Sequence, residues 1–240
     1  MLPALENKQI KTSRIAWMVA AVFFVLMLLP FAEGNIFSQL WAVAFLSFFF
    51  GISSVIVAVM YQMRSNKFKK LISGEMAIAQ WTLTELDKLK FIDRQYEERK
   101  KKNKINFVLV SVLTVVIFGF FIIMMDDDNR MVMVYIMLGF LLLFGFFAFY
   151  MPGHFRNKNL KGDAHIIIGK KFAYINGFFH NWDFPFSGIE NIEIIEDPFH
   201  GIHLVYYYYA KSTVRNTEEI DIPAPKNINL NDLKEKLMAV

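Results

Sequence analysis

The chain contains no cysteine among its 240 residues, which excludes disulfides, thiolate metal sites and cysteine nucleophiles. Charge is also missing, in blocks. Residues 15–32, 36–61, 105–125 and 131–151 hold no Asp, Glu, Lys, Arg or His. Ionisable groups inside a membrane are costly and mark relays and sensors when present. Their lack speaks against proton-coupled transport, voltage sensing and carboxylate proteolysis within the bilayer. The polar side chains left there are Gln39, Asn106, the serines and Thr114, with Tyr and Trp besides. A passive pore lined by serines and backbone stays open.

What is abundant points the same way. With 55% apolar residues, 26 Phe and a mean hydropathy of +0.34, the chain is too apolar for one soluble domain. It is long enough for a membrane part and a small folded domain. The four uncharged stretches predict four spanning helices. A signal peptide is the rival reading of the first, but its apolar run is long and no A-x-A pattern follows. The turns Glu33-Gly34-Asn35 and Asp126-Asp127-Asp128-Asn129-Arg130 make two antiparallel hairpins.

The cations are distributed unevenly. All 26 lysines and arginines except Arg130 lie in the N-terminal tail, in 62–104 or after Met151. The run Glu98-Arg99-Lys100-Lys101-Lys102-Asn103-Lys104 leads straight into the third stretch. Short basic loops stay in the cytoplasm, so these three segments are expected inside and both termini cytoplasmic. The organisation expected is an N-terminal tail and hairpin (1–61), a basic loop with an amphipathic helix (62–104), a second hairpin (105–151) and a cytoplasmic domain (152–240).

In the second span Ala44, Ser47, Gly51, Ser54 and Ala58 recur at spacings of three and four, a stripe that lets another helix approach closely. In the basic loop, 77–83 reads as a short strand, and Thr82 with Glu85 has the form of a capping box. The helix that follows carries Leu86, Leu89, Ile92 and Tyr96 on one stripe, with Lys88, Asp93, Arg94 and Glu97 away from it. That stripe needs the membrane interface, a second copy or the C-terminal domain to lie against; the last is nearest.

After Pro152-Gly153, where the fourth helix is expected to end, short apolar segments at 164–168, 172–175, 178–183, 189–195, 202–210 and 219–222 read as six strands. Asn176-Gly177 is a type I′ hairpin signal. Asn229 or Asn231 caps a last helix with Leu230, Leu233 and Leu237 on one face. The fold class expected is a four-helix, all-α membrane part plus a mainly antiparallel β domain closed by a C-terminal helix.

The segments Ile167-Ile168-Gly169-Lys170-Lys171-Phe172-Ala173-Tyr174-Ile175-Asn176-Gly177, Trp182, Phe186-Ser187-Gly188-Ile189-Glu190-Asn191-Ile192-Glu193-Ile194 and Ile222-Pro223-Ala224-Pro225 resemble pleckstrin-homology-like domains that bacteria attach to membrane helices. The whole chain resembles bacterial inner-membrane proteins with four spans and such a domain. The family fold has seven strands against the six read here; residues 77–83 are a candidate for the missing one. Basic residues of the first hairpin bind phosphoinositides in some members of the fold, and the resemblance places Lys170 and Lys171 there. Two solvated lysines in a tight turn are the plainer account.

The remaining candidates are weighed against simpler roles. His180 and Trp182 share one strand face, as core or as recognition patch, and Trp81 is the aromatic of the basic loop. His200 and His203 lack a third metal ligand. The aspartates at 126–128 read as an acidic turn, so neither a metal nor a cofactor is expected. Among Tyr206, Tyr207, Tyr208 and Tyr209 alternate rings face solvent. The cations sit beside a membrane, where anionic lipid is nearer than nucleic acid. The expected function is non-enzymatic: an inner-membrane scaffold whose domain binds a protein partner or an anionic membrane surface. A small channel or transport subunit, working as a homo-oligomer through the small-residue stripe, is the second reading.

Overall fold

A computed structural model describes residues 5–34, 36, 40–184, 186–210 and 214–239. Among these residues, four helices are long and apolar enough to cross a membrane. They are α1 (Lys8–Leu28), continued by a short 3-10 turn through Phe31, α2 (Trp41–Ile72), α3 (Glu85–Met124) and α4 (Asp127–Leu160). Asn35 and Gln39, in the first turn and at the start of the second stretch, lie outside the described residues, as do the side chains of 127–129.

Three helices outrun their apolar stretches. At 1.5 Å per residue, the 32 residues of α2, 40 of α3 and 34 of α4 make rods of about 48, 60 and 51 Å against a hydrocarbon core of about 30 Å. The excess is the charged sequence at one end. Residues 62–104, expected as a loop with a short strand and one helix, are the end of α2, the strand β1 and the first turns of α3. Helix continues there because Arg, Lys, Glu and Gln are good helix formers and no Gly or Pro intervenes until Gly74.

The helix expected to stop at Pro152 runs on to Leu160. Proline withholds the N–H that the Ala148 carbonyl would accept. Asn103 Nδ2, from α3, instead lies 3.5 Å from that carbonyl oxygen. At the head of α3 the cap is Thr84, not Thr82: its hydroxyl oxygen accepts the Asp87 N–H at 3.1 Å and its O–H donates to the Asp87 carboxylate at 2.7 Å. Thr82 ends the preceding strand, paired with His165 Nδ1 at 2.9 Å.

Among the described residues the β part has seven strands in two sheets: β1 (Ala77–Thr82), β2 (His165–Gly169), β3 (Phe172–Ile175) and β4 (Phe178–Asn181), side by side in that order, and β5 (Gly188–Ile195), β6 (Gly201–Ala210) and β7 (Val214–Pro223), likewise. All neighbours are antiparallel. The strand between the hairpins therefore forms the edge of the first sheet, with Trp81 opposite Ile166. Asn176 and Gly177 have φ of 48° and 93°, as a type I′ turn requires. Strand β7 begins at Val214, five positions before the expected start, because Val214–Glu218 pair with the end of β6 in a ribbon with little apolar sequence. The last helix, α5 (Leu230–Met238), is capped by the Asn229 side chain and buries Leu230, Leu233 and Leu237.

Two apolar clusters hold this part together. The larger unites Ile166, Ile168, Ala173 and Ile175 with Trp182, the second sheet and α5, and takes in Phe91 and Ile92 from α3. The smaller packs Phe68 and Leu71 of α2 on Ile167, Phe172, Tyr174 and Phe179. The first sheet is thus covered on both faces, which explains its uninterrupted apolar strands. The face of α3 differs from the expected stripe: Leu86 and Leu89 are exposed, while Lys88, Phe91 and Ile92 are buried. Burial of Lys88 is met by the Gly162 carbonyl, 3.0 Å from Nζ.

Among the helices, α1 packs on α2 and α3 on α4, and neither hairpin makes comparable contact with the other. Ser47, Gly51 and Ala58 are buried, and a Cβ added at Gly51 would meet the Phe24 ring at 3.2 Å. Ser13 Oγ donates to the Ala58 carbonyl at 2.9 Å. Helix α1 is therefore the neighbour that this part of the stripe admits; Ala44 and Ser54 are half-buried at its margins.

Candidate interaction surface

Lys170 and Lys171 form the turn between β2 and β3, and both are exposed. Trp182, only 2% exposed, supports the turn from beneath: its indole N–H donates to the Lys170 carbonyl at 3.3 Å and its backbone N–H to the Lys171 carbonyl at 3.0 Å. The core reading of Trp182 holds. Lys171 Nζ lies 3.4 Å from the Asp183 carboxylate, which also accepts from Lys67 Nζ at 2.7 Å. That bond, with the two ammonium charges, holds the Asp183 carboxyl below the usual carboxylate range despite burial. The Lys171 ammonium is therefore partly neutralised, and that of Lys170 is not in an ion pair among the described residues.

Two grooves of about 360 Å³ flank the turn. One runs between Trp182, Gly188, Ile189 and Tyr207 on the second sheet and Leu237 and Met238 at the end of α5. Strand β5 is a free edge of its sheet there. The other lies along Met76, Ala77 and Ile78, leading into β1, and Phe172. Their size suits part of a peptide or a small molecule. A further groove, of about 480 Å³, lies elsewhere, between α3 and α4, where Arg156 Nη2 already meets the Asp93 carboxylate at 2.9 Å.

Trp81 and His180 are half-buried, held against this arrangement rather than free at its surface. The Trp81 indole N–H donates to the Pro223 carbonyl at 2.9 Å, tying β1 to the end of β7. His180, on β4, lines a cavity with Gln95, Arg99 and Asn159, and its pKa is pushed down to about 4, first by burial and then by the Arg64 and Arg99 charges. Its imidazole is neutral at pH 7. No family model matches the chain, and no curated protein or solved structure matches it.

His203 is bonded to Asp221 at 2.7 Å and His200 to Glu196 at 2.9 Å. Among the described residues no three His, Asp or Glu side chains are grouped to hold a metal ion. On β6 Tyr206 is buried and Tyr209 exposed, and Arg215 stacks on the Tyr207 ring at 4.6 Å. Sequence reasoning missed Arg64, Lys67, Arg99 and Asp183. Their signal was the basic run beside each apolar stretch, which gives charge but no direction.

Proposed function

We propose that the chain is a non-enzymatic adaptor of the bacterial inner membrane, with both termini and the sheet part in the cytoplasm. The sheet part is pleckstrin-homology-like: seven antiparallel strands split four and three, with a C-terminal helix on the core, support that reading. The partner is a protein with an acidic, extended segment, which adds to the free edge of β5 while Lys170 meets its charge.

The observation that carries this reading is the composite construction of the sheet part. Strand β1, the end of α2 and the head of α3 are all built into it. A domain stitched to the helices at three points keeps one face toward a partner at a fixed height, which is what an adaptor needs. Photo-crosslinking in cells from Ile189, in the groove at the edge of β5, followed by purification in mild detergent, tests it. The expected result is a stoichiometric protein companion that is lost on Lys170→Glu, with expression unchanged. A chain that purifies alone, with crosslinks only to itself, would overturn it. A reporter fused after the last residue and active in the periplasm would invert the orientation.

A further inference from the structure

Where the hairpins meet the sheet part, cations from three helices gather about the edge strand β4: Arg64 comes from the Phe179 face, Lys158 from the Phe178 face, and Arg99 stands beside His180. Arg64 of α2 donates from Nη2 to the Phe179 carbonyl at 2.9 Å, and its guanidinium lies 5.6 Å from the Phe179 ring centre. Arg99 of α3 lies over the Phe155 ring at 4.9 Å, and Lys158 of α4 over the Phe178 ring at 5.1 Å. None of the three has a carboxylate within ion-pair distance among the described residues, whereas Lys67, Arg94, Arg156 and Arg215 each do. The Nε of Arg64 is buried without a hydrogen-bond partner. Cations fixed on aromatic faces with no counter-anion form an incomplete electrostatic arrangement.

A cavity of about 60 Å³ beside them is lined by Gln95, Arg99, Asn159 and His180, with Phe91 and Phe155 among its walls, and no carboxylate faces it. It is far below the roughly 300–1,000 Å³ of metabolite pockets. It admits a few oxygen atoms. The depth is informative too. Arg64 follows Tyr61 closely, Arg99 precedes Ile105 and Lys158 follows Met151, so all three lie about 5–10 Å beyond the uncharged stretches. That is the headgroup layer. Above them the hairpins leave each other's apolar faces unpacked.

We propose that this junction binds the phosphodiester of an anionic phospholipid through Arg64, Arg99 and Lys158, with the acyl chains lying between the two hairpins. Guanidinium forks suit phosphate oxygens, and the neutral His180 can donate one N–H. The proposal rests on the membrane-spanning reading and not on the adaptor reading, so either can fail alone.

The test uses the full chain in mild detergent, with native mass spectrometry and thermal unfolding. The probes are phosphatidylglycerol, phosphatidylcholine and inorganic phosphate. One phosphatidylglycerol per chain should be retained at least tenfold more tightly than phosphatidylcholine and should raise the unfolding temperature. Arg99→Gln and Arg64→Gln should each weaken that binding about tenfold, and Lys158→Gln about threefold, while Lys226→Gln, remote and exposed, should leave it unchanged. If the Arg64 variant fails to fold, the exposed Lys158 decides. Equal retention of the two lipids, or equal loss in Lys226→Gln, would overturn the proposal. So would millimolar inorganic phosphate giving the same stabilisation as phosphatidylglycerol, which would make this a soluble-anion site.

Discussion

The two hairpins carry the sheet part in different ways. The first touches it from outside: Phe68 and Leu71 of α2 cover the outer face of the first sheet in a small separate cluster. The second enters it: Phe91 and Ile92 of α3 belong to the same cluster as Trp182, Ile202 and Leu233. The second hairpin is therefore part of the domain's core, and the first is docked on it. Helix α3 also touches β7 through Arg94, which bonds Glu98 and lies 3.7 Å from Asp221, whereas α2 meets the first sheet at its outer face and, through Arg64 and Lys67, at the end of β4.

That difference can be broken most directly at Phe91. Phe91→Ala should cost about 3–5 kcal/mol, the usual loss for a fully buried phenylalanine, and should lower the denaturant midpoint of the whole sheet part. Phe68→Ala removes the same atoms from the satellite cluster. Its expected signature is faster hydrogen exchange at the end of α2 and in β3 and β4, with a smaller fall in that midpoint. If both variants melt the sheet part equally, the distinction between entering and docking is wrong.

The next effect is a pH dependence at His180, where α3 and α4 meet β4. The folded pKa of His180, about 4, lies below the ordinary 6.5. The unfolded chain therefore binds the proton first as pH falls. Stability is fully present above about pH 6.5 and declines toward pH 4, by roughly 1–2 kcal/mol at pH 5. Unfolding at pH 7 and pH 5 checks this. His180→Gln should flatten that slope, and a slope unchanged in the variant would remove the assignment.

Smaller still is Trp81→Phe, which keeps most of the ring and deletes the bond to the Pro223 carbonyl. About 1 kcal/mol is expected, read as exchange of β1 amides rather than as global unfolding. The smallest belongs to the first hairpin. Lys67→Ala removes the 2.7 Å ion pair with Asp183, whose side chain is one-third exposed, so solvent screening limits the loss to about 0.5 kcal/mol at pH 7. Because the folded carboxyl titrates below its ordinary 3.8, this difference from wild type should fade as pH falls below about 4.

The features legible in sequence were those with a local signal. Uncharged stretches gave the long apolar helices, short apolar segments between turns, with the Asn176-Gly177 signal, gave six strands, and Leu230, Leu233 and Leu237 gave the last helix with its inner face. What escaped was non-local. Nothing near Pro152 announces that Asn103, on another helix, stands beside the Ala148 carbonyl. Hydropathy is blind to the polar turns that extend α2 and α3. The pairing of Trp81 with Ile166 joins two segments that lie on either side of a hairpin. One clue was available: Ile166-Ile167-Ile168 is apolar without alternation, the mark of a strand covered on both faces, and the cover had to come from somewhere. The site was less legible than the fold. Lys170 and Lys171 stand out in sequence, but Arg64, Arg99 and Lys158 are indistinguishable there from other basic residues near a span.

The placement of β1 has a consequence for biosynthesis. Its neighbour in the sheet follows 83 residues later, from Thr82 to His165. At about 5–20 residues per second the ribosome takes roughly 4 to 17 seconds to cover that distance. Throughout that interval the second hairpin is being delivered to the lipid. An edge strand left waiting so long is exposed to wrong partners, so the nascent chain completes its sheet only after both insertions have succeeded, and a failed insertion leaves an unpaired strand for quality control to find.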